Sequence, residues 1–429
     1  MKTSAISLEK GFDMNDSSIL DIVFDKFVNS TKIFLNRDVL RHDYLPNKLP
    51  YRDEQITRVG ETLAPVLKGA RCSNIFIYGK TGTGKTAVTR HVLNYLEVKA
   101  KEFASPVKFS YVNCRMAGSE YRTFASLCQS VGVSVPFTGL SVGEVFDRFR
   151  VALDRSRVIF IVVLDEIDEL IKARGDNLLY ELTRINETLR GSKVSILGIS
   201  NDLRLKEFLD SRVFSSLSEE EIVFNPYNAE ELRNILLERA KMAFYEGTLS
   251  DGALSVCAAL AAAEHGDARR ALDLLRVAGE VAERKGVNVV VEEHVREAEK
   301  RIEHNRVIEA LKNLTLHSKI VVLSIYHLKQ AEVLRAITGE IYEVYAELCE
   351  ELGITPLTQR RVSALVNELD SMGLLNAKVV SMGRYGRTKK IKLEITRTLI
   401  RDVFANDSRI EHLVNHEPKC LEKHARSRN

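Results

Sequence analysis

Several features that would restrict this chain to a special class are missing. Its six cysteines, Cys72, Cys114, Cys128, Cys257, Cys349 and Cys420, are scattered with no CxxC spacing, which argues against a zinc cluster or a disulfide framework. A reducing, intracellular compartment fits best. Membrane spans need ~20 consecutive apolar residues, and the longest runs here, around 158–164 and 256–263, fall far short. The opening MKTSAISLEKGFDMNDSS has no apolar core followed by a small-residue cleavage site, so no secretory leader is expected. We therefore expect a cytoplasmic protein with no membrane partner. An excess of one charge sign is missing too: 62 basic side chains against 59 acidic ones leave a net +3, which by itself points to no nucleic-acid partner.

What is present is ordinary globular material, 45% hydrophobic and 28% charged. A chain of 429 residues exceeds the roughly 250 to 300 residues at which single cores stop growing, so two or three domains are expected. Residues 1–18 are polar and aperiodic and read as a flexible tail. The stretch 42–55, HDYLPNKLPYRDEQ, carries two prolines and reads as an extended lead into a helix.

Four apolar runs then alternate with helical segments: NIFIYG at 74–79, KFSYVNC at 108–114, VIFIVVLDE at 158–166 and KVSILGISN at 193–201, with a shorter run, EIVFNP, at 221–226. Continuous β-branched runs suit strands buried on both faces, which predicts a parallel sheet in an α/β domain over 19–226. After Pro226 three segments repeat apolar residues at helical spacing, with Asn228, Asp251 and Asp267 as candidate N-caps. A small all-α domain over 227–304 is expected. A third composition occupies 305–429.

The chemistry is concentrated in a few motifs. Gly79-Lys80-Thr81-Gly82-Thr83-Gly84-Lys85-Thr86 is a P-loop pattern directly after a strand and before a helix, as phosphate binding requires. The glycines let backbone N–H groups surround phosphate oxygens at a helix N-terminus. Lys85 is expected on the β- and γ-phosphates and the Thr86 hydroxyl on Mg2+, which makes ATP and ADP the expected ligands. Asp165 and Glu166 end a buried strand, where open α/β sheets bind ligands. Asp165 is expected to hold the metal and Glu166 to deprotonate the attacking water. Asn201, at the end of the next strand, is suited to hydrogen-bond that water or the γ-phosphate. Arg212 is open to two readings, a guanidinium offered to a neighbouring subunit's γ-phosphate or a surface salt bridge. Arg269 in GDARRALDLL is expected to reach the phosphate from within its own chain, and Arg270, about 100° round the helix, to pack or face solvent.

In the C-terminal part, TQRRVSALVNELDSMGLL places Val362, Leu365, Val366, Leu369 and Met372 on one stripe and leaves Arg360 and Arg361 near an exposed N-terminal turn. This is the charge pattern of a recognition helix. KVVSM and TKKIKLEI flank Gly383-Arg384-Tyr385-Gly386-Arg387, which predicts a hairpin with Ile391, Leu393 and Ile395 inward and Lys390 and Lys392 outward. From Arg384 to Arg401 there are seven basic residues and one acidic residue. Arg360, Arg361, Arg384, Tyr385, Arg387, Lys389 and Lys390 are the candidate DNA contacts. A protein-binding winged helix with a solvated basic face is the alternative.

With GKTGTGKT, LDEID, SN, GDARRALDLLR, LPYRDEQ, NPY and GRYGRTKKIKL in view, the chain resembles the archaeal replication initiators related to the origin recognition complex and the cell-division-cycle helicase loader. The resemblance spans nearly the whole length. It implies an AAA+ ATPase domain, a helical lid and a C-terminal winged helix. It further implies binding of double-stranded origin DNA, slow ATP hydrolysis used as a conformational switch, and help in bringing the replicative helicase to the origin, with further copies or paralogues as possible partners and a nucleoid-associated location. It carries over Arg52 and Tyr227 as nucleotide-pocket residues. It also implies an inserted helical element touching DNA, here matching 125–141. A clamp-loader subunit shares the ATPase motifs, but should end in a helical collar and, in small subunits, read Ser-Arg-Cys where this chain has Ser-Arg-Val. An ATP-gated transcriptional regulator is the other competing reading.

Overall fold

The computed structural model describes Asp21 and residues 32–217, 219–333, 336–381 and 387–421. Packing divides the chain into two compact units, Met1–Ala298 and Glu299–Asn429.

The first unit holds a five-stranded parallel sheet of β1 (Asn74–Gly79), β2 (Val107–Asn113), β3 (Ile159–Asp165), β4 (Lys193–Ser200) and β5 (Glu219–Phe224), in the order β2-β3-β4-β1-β5. The unbroken apolar runs follow from burial on both faces. Phe160, Val162 and Leu164 of β3 enter a core with Phe76, Phe124 and Phe149, while Ile159, Ile161 and Val163 enter a second core with Ile75, Ile77, Val88 and Leu93. β5 begins earlier than its apolar run, because Glu219 and Glu220 pair in register with Asn74 and Ile75 and Lys206 bridges to Glu219 at 2.7 Å. The carboxyl ends of β1, β3 and β4 lie side by side, which brings the P-loop, the two acids and Asn201 to one edge.

Three of the helices that follow in the same unit are capped by side chains. Ala229–Ala243 is capped by Asn228 in a reciprocal capping box with Glu231. Asp267 caps Ala268–Lys285 by accepting the N–H groups of Arg269 and Arg270. The middle helix, Asp251–Ala263, is capped by Ser250 and not by Asp251, which sits in the first turn and favours the helix dipole from there. The segment 33–40, read from sequence as part of the nucleotide-binding domain, packs on these helices instead. Leu35 and Asn36 donate backbone N–H groups to the Ala243 carbonyl, Phe34 stacks on Phe244, and Arg37 pairs with Glu283.

The second unit contains the helices Leu316–Gln330, Thr338–Glu351 and Gln359–Ser371 and a small antiparallel sheet of β6 (Ala336–Ile337), β7 (Leu375–Ser381) and β8 (Arg387–Leu393), ordered β6-β8-β7. This is a winged helix. Val362, Leu365, Val366 and Leu369 enter its core, as do Ile391 and Leu393 of β8 and Ile395 just beyond the strand. Met372 does not share the stripe: the helix ends at Ser371, and Met372 is 58% exposed as its cap. Among the described residues no helix is long and apolar enough to cross a membrane.

Candidate functional site

The P-loop leaves β1 and enters the helix Lys85–Glu102 through Gly84, whose φ of 91° favours glycine. A Cβ at Gly84 would stand 3.0 Å from the Tyr227 hydroxyl, and one at Gly82 would overlap the Asp267 carboxylate at 1.7 Å. The glycines therefore admit close approach of the lid as well as of phosphate. Ala268 also donates its N–H to the Gly82 carbonyl at 3.2 Å, which ties the lid helix to the loop. Thr83 is buried, with its hydroxyl on the Lys80 carbonyl at 2.8 Å; Lys80 and Thr81 stay exposed.

Lys85 is buried, and its ammonium donates to the Gly79 and Lys80 carbonyls at 2.7 and 2.8 Å and to Asn201 Oδ1 at 2.9 Å. Burial lowers its pKa to about 8, against the opposing pull of Asp165. The Thr86 hydroxyl donates to Asp165 Oδ2 at 3.0 Å, which places two hard oxygen donors together. Such oxygens suit Mg2+, and Lys85 at the N-terminus of the helix Lys85–Glu102 suits a nucleotide polyphosphate. The residues present thus fit both expected ligands.

Glu166 occupies the left-handed region at φ 53°, a conformation that costs a non-glycine residue of order 1 kcal/mol or more. Its N–H is held by Asp165 Oδ1 at 3.0 Å, and its carboxylate accepts from Asn113 Nδ2 at 3.3 Å. The strained backbone and the amide together aim the side chain along the sheet edge. Asn201 is fixed in turn by Asp168, which is buried and accepts the Asn201 N–H at 3.1 Å. Thr81, Gly82, Gly84, Lys85, Thr86, Asp165, Glu166, Asn201 and Arg269 line one recess.

Sequence reasoning passed over Asn113, Tyr111 and Asp168. Tyr111 bonds Asp165 through its hydroxyl, lies under the Arg90 guanidinium at 4.7 Å, and has its own ionisation pushed well up by burial and by Asp165. In sequence Asn113 is simply the end of a strand. Register reveals it, because Asn113 pairs with Asp165 across the β2–β3 ladder.

A cavity of about 560 Å3 opens beside the recess, between the 41–50 segment, the Gly82–Thr86 turn, Tyr227 and the lid residues Ile235, Arg239, Met242 and Leu272. That volume suits a ligand of nucleoside size. Tyr227 is part of the wall. Arg52 is not. It is buried under the loop, donating to the Thr83 and Asn225 carbonyls at 2.9 and 2.8 Å with its guanidinium 3.8 Å from the Tyr227 ring centre, so it braces the P-loop from behind. Arg212 lies outside the recess, 76% exposed and paired with Asp210 at 3.0 Å. Arg270 is half-buried against Glu264 at 2.9 Å.

The 125–141 stretch is not a separate helical element. Its first part belongs to the helix Glu120–Ser130, and 131–141 is an irregular loop pinned by the Tyr121 hydroxyl on the Pro136 carbonyl, with Phe137 97% exposed at its tip. In the second unit, Arg360 and Arg361 are exposed at the start of the Gln359–Ser371 helix, Lys390 is exposed on β8, and Lys389 bonds Asn367 of that helix. Arg384 and Tyr385 lie outside the described residues, and Arg387 opens β8 opposite Ser381.

A P-loop on a parallel sheet, an arginine-bearing helical lid and a winged helix define a class: the AAA-type ATPases with a C-terminal DNA-binding module. Family models agree along the chain, with an AAA domain at 69–204, a Cdc6 AAA+ ATPase-type lid domain at 233–300 and a CDC6 C-terminal winged helix domain at 309–403. The chain belongs to the ORC1-type DNA replication protein family. It is 50% identical over 400 residues to the member from Thermococcus onnurineus, covering 92% of this chain and 96% of that one. It is 51% identical over 399 residues to the member from Pyrococcus horikoshii, covering 92% and 95%. Among solved structures it is similar to Aeropyrum pernix ORC1 in complex with DNA, with a TM-score of 0.82 and 49% identity over 89% of this chain and 99% of that one.

Proposed function

We propose that this protein initiates DNA replication by binding origin duplex DNA through its winged helix, with the ATPase unit acting as a slow nucleotide-driven switch. Family membership supports the initiator reading, and one geometric observation carries the switch: the lid helix that presents Arg269 is bonded to the P-loop itself, through Ala268 N–H on the Gly82 carbonyl. A change at the phosphate position is thereby felt directly at the lid.

In this reading Lys85 and the loop amides hold the β- and γ-phosphates, and Thr86 and Asp165 hold Mg2+, which neutralises charge on the phosphates when bound. Glu166, held by Asn113, takes the proton from the attacking water; Asn201, fixed by Asp168, hydrogen-bonds that water or the γ-phosphate. Arg269 senses the same phosphate from the lid. Arg212, solvent-facing, is available to a second copy or a paralogue. Arg360, Arg361, Lys389, Lys390 and the wing residues Arg384, Tyr385 and Arg387 contact DNA. Helicase recruitment completes the proposal, and a cytoplasmic, nucleoid-associated location follows from it.

The test is a nuclease footprint of the purified protein on DNA around its own gene and the replication start, with ATP and with ADP, at near-physiological salt. Discrete protection of repeated elements, extended in one nucleotide state, is expected. Diffuse binding there, with protection confined to promoters, would replace the initiator with a transcriptional regulator.

A further inference from the structure

The edge of the parallel sheet opposite the P-loop has a feature that nucleotide chemistry does not use. The helix Val142–Ser156 ends there, and its last residues lead into β3 through Arg157, which adopts φ 52° where glycine or asparagine would be easier. The turn into β4 folds against it: Asp154 Oδ1 accepts the N–H groups of Arg190, Gly191 and Ser192 at 2.8, 2.7 and 3.2 Å. These bonds, the Gly191 N–H foremost, hold the Asp154 carboxyl below its usual range. Asp154 is therefore committed to the backbone and fixes the two turns side by side.

Together the turns enclose an open basin of about 750 Å3 whose walls include Arg150, Arg155, Arg157 and Arg190, with Asp154 as the only acid and Val151 as the only sizeable apolar side chain. Arg150 pairs with Asp147 at 2.9 Å. Arg155, Arg157 and Arg190 are exposed, and among the described residues none of the three forms an ion pair. The Arg190 charge also helps to hold the Asp154 carboxyl down, and the basin still carries more guanidinium than carboxylate charge, an excess that a multiply charged anion neutralises. β3, seven residues long at about 3.3 Å each, separates this basin by about 20 Å from the nucleotide recess, so the nucleotide does not supply the anion.

The wall chemistry discriminates between polyanions. A protein partner would need an aromatic or aliphatic centre, which one half-exposed valine does not give. A phosphodiester backbone needs charged forks and no apolar anchor, and guanidinium fits phosphate oxygens two at a time. We propose that Arg155, Arg157 and Arg190 form a second, sequence-independent contact to the phosphate backbone of duplex DNA, apart from the winged helix. The inference rests on the DNA-binding reading above.

The test measures binding of the full chain to a long random-sequence duplex across a salt series, for the wild type, for R155A/R157G/R190A and for R155K/R157K/R190K. Glycine at 157 suits the left-handed backbone, and thermal melting with ADP affinity verifies that each variant is folded. The proposal expects the charge-removing variant to bind more weakly, with the log-log salt slope flatter by about 0.9 per lost phosphate contact, while the lysine variant keeps most of the slope. An unchanged slope in the charge-removing variant, with the wild type still bound, would overturn the second contact and leave the winged-helix reading intact. Loss of poly-glutamate binding with DNA binding unchanged would overturn it in favour of an acidic protein partner. A wild type that does not bind duplex DNA sinks the DNA-binding reading and this inference with it.

Discussion

At the residue scale the site depends on side chains whose partners are far away in sequence. Glu166→Gln should keep nucleotide affinity and lower single-turnover hydrolysis by about 10²-fold or more, the range of general-base catalysis; hydrolysis at the wild-type rate would remove Glu166 from the mechanism. The single-turnover format matters, because slow product release would hide the step in steady state. Asn113→Ala removes the amide from Glu166 Oε2. We expect about a tenfold fall in the same rate from losing one hydrogen bond to a charged group, with nucleotide affinity unchanged; a loss of affinity instead would make Asn113 a structural residue. Lys85 gives a pH dependence. With its pKa lowered to about 8 in the free protein, it is charged below that pH and loses its proton above it. A bound polyphosphate keeps the proton on, so binding above pH 8 takes a proton up, and ADP affinity should fall by up to about tenfold per pH unit there. Lys85→Arg should abolish that dependence in a calorimetric titration, since arginine stays protonated.

At the scale of elements, most positions follow from the local pattern, and the departures have physical causes. The parallel strands were legible because burial on both faces leaves no polar position in a run such as 159–164. Ser250 displaced Asp251 as a cap because a cap needs its oxygen free to meet the N–H three residues on, and either residue satisfies a sequence rule. The stripe ended at Leu369 because the helix stops before Met372 can complete another turn. The hairpin also yields a prediction. Arg387 opens β8 at the base of the wing, and Arg387→Ala should weaken duplex binding and flatten the log-log salt slope by about 0.9 if it holds one phosphate. An unchanged slope in the titration would take Arg387 off the DNA.

At the scale of the molecule, each unit has its own core and its own weak points. In the second, Lys319 is 3% exposed and paired with Asp407 at 2.7 Å, and Arg409 shares the carboxylate. Arg409 first and Lys319 second hold the Asp407 carboxyl well below the usual carboxylate range. A depressed carboxyl value means stability that is present above the unfolded value near ~3.9 and lost as pH falls through the folded one. Asp407→Ala would leave the Lys319 ammonium buried alone, and we expect a loss of about 3 kcal/mol in denaturant unfolding of that unit; a loss below 1 kcal/mol would mean that solvent reaches Lys319. By itself the sequence determined the strands, the P-loop pattern, the helical segments after Pro226 and the basic hairpin, because periodicity and glycine spacing are local properties of the chain; the lid and the winged helix were legible through the family resemblance. Tertiary structure alone decided that Asn113 meets Glu166, that Asp168 holds Asn201, that Arg52 braces the P-loop instead of lining the cavity, and that 33–40 packs on the lid. Those pairings join residues brought together by strand register and helix packing, and no local spacing in a single sequence encodes them.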